Sequence, residues 1–164
     1  MTRRLPPAVR RHPVGPGERV LAGVELADGR VVAGTRDALY VGSERIPWES
    51  VERADWDSEA ETLTVSEVGS WGAERPTYQL AMADPGRLLE LVRERVTASV
   101  VLQRRVTIAG RRGLFVIARR APRGDRPLQW VYEFDEGVDP SDPEVRRLAE
   151  AGLARARDEL GARA

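Results

Sequence analysis

The chain has no cysteine, no lysine and no asparagine, and only one histidine, His12. Each absence closes off a class of chemistry. Without Cys there is no disulfide framework, a pattern that fits a reducing cytoplasm. Without Lys there is no Schiff base and no Walker A loop, whose lysine reaches the phosphates. His12 lies in a Pro- and Arg-rich stretch, whereas a catalytic or metal-bound imidazole needs neighbours that fix its tautomer. A Ser-His-Asp triad, a Cys-His pair and a His-based zinc site are therefore not expected. No G-x-G-x-x-G follows a predicted strand. No apolar run approaches the ~20 residues that cross a bilayer. Residues 1–13 are basic but carry no apolar stretch of the kind a secretory signal needs. The expectation is a cytoplasmic, non-enzymatic protein with no cofactor, no metal and no small-molecule ligand indicated.

What is present is an ordinary globular mixture, 41% hydrophobic and 32% charged in 164 residues. That length allows one good core, or a small domain with an appended subdomain. All 26 basic residues are Arg. A GC-rich genome disfavours the AT-rich codons of Lys and Asn, so an Arg here says little by itself about phosphate recognition. Carboxylates are the one acid–base class available. Asp55, Asp57, Glu59 and Glu61 fall at every second position, which in a strand places all four on one face. A solvated strand face is preferred there over a cation site. The calcium-loop pattern fails, because Ala60 and Ser66 stand where Gly and Glu are required.

Hydropathy divides the chain into three. Residues 1–16, with Arg3, Arg4, Arg10 and Arg11 among four prolines, read as a disordered basic arm. Residues 17–103 hold about seven short strands, beginning with an alternating run to Leu26 and a turn at Asp28-Gly29. They end in a helix with Asp84 as its cap, Pro85 at its first position and a stripe of Leu88, Leu89, Val92 and Val96. In residues 104–164, 106–108 and 114–117 flank a hairpin turn and 129–134 form a third strand. A helix then starts at Ser141 or Asp142, its apolar face drawn from Leu148, Gly152, Leu153, Ala156 and Leu160. This ribbon and helix are expected to pack on the first unit or on a second copy.

Within the middle part, the stretch from Val31 through Thr35 to Val41 and the segment Arg45-Ile-Pro-Trp-Glu-Ser-Val51 carry a resemblance. They are similar to the threonine, strand, then Ile-Pro-Trp-x-x-Val pattern of bacterial pleckstrin-homology-like (PH-like) domains, including those of an actinobacterial family. The resemblance implies an α+β fold: a PH-like β-barrel of about seven strands closed by a helix, here followed by a three-stranded β-ribbon and a C-terminal helix. It implies no activity. A phosphoinositide-binding member would carry a basic cluster between its first two strands, where this chain has Ala27-Asp-Gly-Arg30. A membrane surface is therefore not an expected partner.

Charge is segregated although it sums to zero. Residues 17–84 hold 6 Arg and 14 acids, whereas 104–126 hold 8 Arg and one acid. The basic block comprises Arg104, Arg105, Arg111, Arg112, Arg119, Arg120, Arg123 and Arg126, on and around the predicted hairpin. A protruding basic ribbon can lie along a phosphate backbone. It can equally dock against the acidic first unit, and the neutral total favours docking. Trp48 and Trp130 read as core residues and Trp56 is ambiguous. Trp71, in a Gly-rich loop, is the best exposed candidate for an interface anchor, with folding back over the barrel mouth an equal alternative. The expected function is a non-enzymatic binding or scaffold module acting through a protein partner or self-association. The alternative is a nucleic-acid or ribosome-associated factor using the hairpin and the basic arm. Carboxylate-dependent hydrolysis ranks last.

Overall fold

The computed structural model describes residues 4–69, 71, 75–124 and 126–163. The expectations for Arg3, for Ser70 and Gly72–Glu74 in the Gly-rich loop and for Asp125 lie outside them. The fold is α+β, with three small antiparallel sheets and a long C-terminal helix. Short apolar runs separated by turn residues produce the first two sheets. Strands β1 (Ala22–Glu25), β2 (Val31–Gly34), β3 (Ala38–Val41) and β4 (Glu44–Pro47) pair in sequence order. Strands β5 (Val51–Asp57), β6 (Thr62–Glu67) and β7 (Thr77–Ala81) form the second meander.

The closed barrel is not found. Among the described residues the ladders stay within their own sheets. The chain supplies a physical reason at the junction: Pro47 has no N–H to extend the β4 ladder, and a 3-10 turn at Trp48–Ser50 redirects the backbone. One core nevertheless joins the two sheets. Leu39, Ile46, Trp48, Leu63, Val65 and Leu80 meet helix α2 (Leu88–Ser99) through Leu88, Leu91 and Val92. The helix starts later than its Asp84-Pro85 signal suggests. Gly86 has φ +56°, which no helical residue adopts, so Asp84 accepts the Gly86 N–H in a turn and the helix begins beyond it.

The N-terminal stretch is not a free arm over its described residues. A short helix α1 (Pro7–Arg10) buries Val9 completely against the outer face of the first sheet, with Val31, Ala33, Ala38 and Tyr40. Gly23 makes this possible, since a Cβ there would stand 2.7 Å from Val9 Cγ1. The cause lies in β2 and β3, all of whose residues are buried. A strand apolar on both faces needs cover on both, and the leader supplies the outer one.

The remaining chain forms the third sheet, in the order β10 (Gln129–Phe134), β9 (Arg112–Arg119), β8 (Val100–Ala109). Its hairpin turns at Gly110, and β8 follows α2 without a linker. Helix α3 (Pro143–Arg163) is capped by Asp142, which accepts the Glu144 N–H at 2.9 Å. It buries Val145, Ala149, Gly152 and Ala156 on the sheet face formed by Leu114, Val116 and Ala118.

Candidate functional site

The arginines of the basic block fall into two groups, one engaged within the molecule and one open to solvent. Arg104 pairs with Glu159 of α3 and Arg105 with Asp135, its Nη1 2.9 Å from Oδ1, while its guanidinium also covers the Phe115 ring. Arg123 reaches the first unit, donating to both carboxylate oxygens of Asp37 at 2.8 and 3.0 Å and to the Gly17 carbonyl. Arg119 is 3% exposed. It donates to Ser99 Oγ at 3.0 Å and to the Glu52 backbone carbonyl at 3.1 Å. Arg111, Arg112, Arg120 and Arg126 are exposed, and no hydrogen bond or ion pair engages their guanidinium groups among the described residues. The hairpin thus faces two ways. One set of arginines is committed inside the molecule, and the other is open to solvent.

Arg119 lies at a buried ionic seam between the second and third sheets. The Glu52 side chain is 3% exposed, with Arg75 Nη1 2.5 Å from its Oε1, yet neither carboxylate oxygen accepts a well-aligned hydrogen bond. Burial raises the Glu52 carboxyl above its ordinary range, and the charges of Arg75 and Arg119 offset only part of that. Burial likewise lowers the Arg119 guanidinium, against the pull of Glu52 and Glu133. Neither Glu52 nor Arg119 lines the crevice beside Trp71 or the one at Glu49, although Arg75 lines the first. The seam is a clamp.

These shifts set a pH profile. A carboxyl whose folded-state pKa is raised favours folding more as pH falls through that pKa, because the buried group takes up a proton. Asp135 behaves oppositely: hydrogen bonds from Arg105 and from the Gly113 N–H hold it at about 2. Its contribution is present above the unfolded value of 3.8 and lost as pH falls towards about 2. Burial of Glu18 is outweighed by bonds from Thr35, Tyr40 and Arg45, so that carboxyl too is lowered. The melting temperature is expected to rise as pH falls through the raised Glu52 pKa, then to fall steeply at more acidic pH as Glu18 and Asp135 take up protons. Calorimetry on Glu52→Gln checks the assignment, since this substitution should flatten the upper arm and leave the acid arm in place.

Trp71 is not a free anchor. Its Nε1 donates to the Pro140 carbonyl at 2.9 Å, and its ring meets Tyr132 and Phe134 edge-on at 5.1 and 4.9 Å. Arg146 of α3 lies over it at 5.2 Å. Trp71 thus packs on the third sheet rather than over a barrel mouth. Beside it opens a crevice of about 440 Å³, walled by Val68, Trp71, Trp130, Tyr132, Phe134 and Pro140 among others. The aromatic wall was missed in the sequence, although Trp130, Tyr132 and Phe134 recur at period two on β10 and must share a face.

The four carboxylates at 55–61 do not share a strand face. β5 ends at Asp57, whose Oδ1 caps a turn by accepting the Glu59 and Ala60 N–H groups, and Glu61 has φ +49°. Among the described residues no group of three or more His, Cys, Asp or Glu is arranged to hold a metal ion. No described helix is long and apolar enough to cross a membrane. No protein-family model, no curated protein and no solved structure matches the chain.

Proposed function

We propose that the chain is a non-enzymatic, cytoplasmic binding module of PH-like kind, recognising a protein partner through the aromatic crevice beside Trp71. A four-stranded and a three-stranded antiparallel meander sharing one core with α2 support the PH-like part of this reading. The observation that carries the binding part is the crevice itself. Four aromatic rings line it, in a chain whose aromatic content is only 5%. Trp71, Tyr132 and Phe134 are held by the Trp71–Pro140 hydrogen bond and the edge-on ring contacts, so these three rings have little ordering entropy left to lose on binding. Aromatic residues flanked by Arg are the residue types that dominate protein interfaces. The test is size-exclusion chromatography with light scattering on extract from the native host. The wild-type chain is expected to elute in a complex well above 18.2 kDa. Tyr132→Ala, with its fold checked by circular dichroism, is expected to elute alone. A wild-type chain that elutes as a free monomer would count against the proposal.

The nucleic-acid alternative keeps one observation in its favour, the exposed Arg111 and Arg112 at the hairpin tip. It requires duplex affinity that falls with log salt at a slope of about −0.9 per phosphate neutralised. It also requires that affinity to vanish in an Arg111→Ala, Arg112→Ala variant.

A further inference from the structure

A second crevice, of about 420 Å³, lies where the first sheet meets the loop after β9. Glu18, Asp37, Arg45, Glu49, Arg123 and Arg126 contribute to its walls. Three carboxylates and three guanidinium groups balance in number, but they do not all pair. Glu18 accepts from Thr35 Oγ1 at 2.6 Å, Tyr40 Oη at 2.7 Å and Arg45 Nε at 3.2 Å. Asp37 accepts twice from Arg123. Those two acids and their arginines are committed to each other, and they fix the walls.

Glu49 is different. It sits in the 3-10 turn, directly after the fully buried Trp48, and is 9% exposed. Its Oε2 is shut off from solvent and accepts no hydrogen bond, and no described residue forms an ion pair with it. Taking even one carboxylate oxygen out of water without a partner carries a desolvation cost that folds ordinarily avoid. No apolar packing requirement explains an acid here, since a neutral residue of the same shape would avoid the desolvation penalty. The chain therefore keeps a largely buried carboxylate, without a protein partner among the described residues, in the wall of a crevice large enough for an extended side chain.

We propose that this crevice receives a guanidinium or primary ammonium group, with Glu49 completing the ion pair. Glu18 and Asp37 are already neutralised by Arg45 and Arg123, and the exposed Arg126 of the same wall forms no ion pair with Glu49, so an incoming cation has the Glu49 carboxylate to meet rather than a general acidic patch. A planar guanidinium fits such a site best, because it can meet a carboxylate through two parallel N–H donors. The cation could come from a free small molecule or from an Arg side chain of a peptide. This inference does not depend on the aromatic crevice, whose lining residues are different.

The experiment is calorimetric titration of the whole chain with butylguanidine and with acetyl-Gly-Arg-Gly-amide, using the uncharged citrulline tripeptide as control. Saturable binding of either cationic compound is expected. It should be weaker by roughly tenfold or more for the citrulline peptide and for Glu49→Gln, because each removes one half of the ion pair. Binding of butylguanidine assigns the site to free cations as well as peptides, and binding of the tripeptide alone assigns it to peptides. Glu49→Gln should melt no lower than the wild type, since the amide relieves a buried, unmet charge. Tyr132→Ala should bind both cationic compounds normally, which keeps a failure here distinct from a failure of the aromatic crevice. Three outcomes would overturn the proposal: no saturable binding, equal binding by Glu49→Gln, or a Glu49→Gln melting temperature well below the wild type's. The last would show that the carboxylate has a structural duty inside the chain.

Discussion

Replacing Arg119 by methionine is expected to lower stability by about 3–5 kcal/mol, because it removes two buried hydrogen bonds from a charged donor, each worth about 1.5–3 kcal/mol. In a chain of this size that is a drop of roughly 10 °C in melting temperature. Three effects add. The hydrogen bonds to Ser99 Oγ and the Glu52 carbonyl disappear, leaving the end of α2 and the start of β5 without their shared donor. The Glu52 carboxylate, already short of hydrogen bonds, keeps Arg75 as its nearest cation. The seam joining the second and third sheets loses its only almost fully buried guanidinium among the described residues. A compensating change separates charge from packing. In Arg119→Met combined with Glu52→Leu both buried charges are gone, and part of the lost stability should return, because no buried Glu52 carboxylate is left without the Arg119 charge, whereas the hydrogen bonds to Ser99 and the Glu52 carbonyl stay lost. Denaturant unfolding of the two single variants and the double variant closes the cycle. A coupling below about 0.5 kcal/mol would show that the two groups do not act as a pair.

Truncating Trp48 to alanine should be as damaging, at about 3–5 kcal/mol. The indole is wholly buried in the core common to the first two sheets and α2, and its Nε1 donates to the Thr35 carbonyl at 2.9 Å. Removing it leaves a cavity and orphans that carbonyl. Trp48→Phe keeps most of the volume and loses the hydrogen bond, and should cost about 1–2 kcal/mol. Thermal unfolding of the two variants tells packing from bonding. Because Trp48 precedes Glu49, the alanine variant should also disturb the cation crevice, whereas the phenylalanine variant should leave it largely intact.

The sequence revealed those parts of the structure that depend on local chemistry. The Asp28-Gly29 turn, the β8–β9 hairpin, β10 and the Asp142-Pro143 start of α3 all follow from residues adjacent in the chain. What it hid depends on which face meets what. Arg119 and Arg120 look identical in the sequence, but β9 turns Arg119 towards the first unit and leaves Arg120 in solvent. The leader looked free because its prolines and arginines suit a disordered arm. The opposing signal lay elsewhere, in β2 and β3, whose two apolar faces demand cover from both sides. Gly86 was read as part of a helix, and only its left-handed backbone shows why the helix starts later. Trp71 stands out in the sequence by its Gly-rich surroundings, but the aromatic residues beside it in the fold lie about sixty residues away. No local pattern could connect them.

The most direct test of protein recognition through the aromatic crevice is site-specific photocrosslinking in the native host. A benzophenone amino acid is placed at Gln129 in the crevice wall and, separately, at Arg111 on the hairpin tip. The expected result is a discrete adduct from Gln129 that protease destroys and nuclease does not, with little from Arg111. Adducts from Arg111 alone, sensitive to nuclease, would contradict it and make the basic hairpin the binding surface.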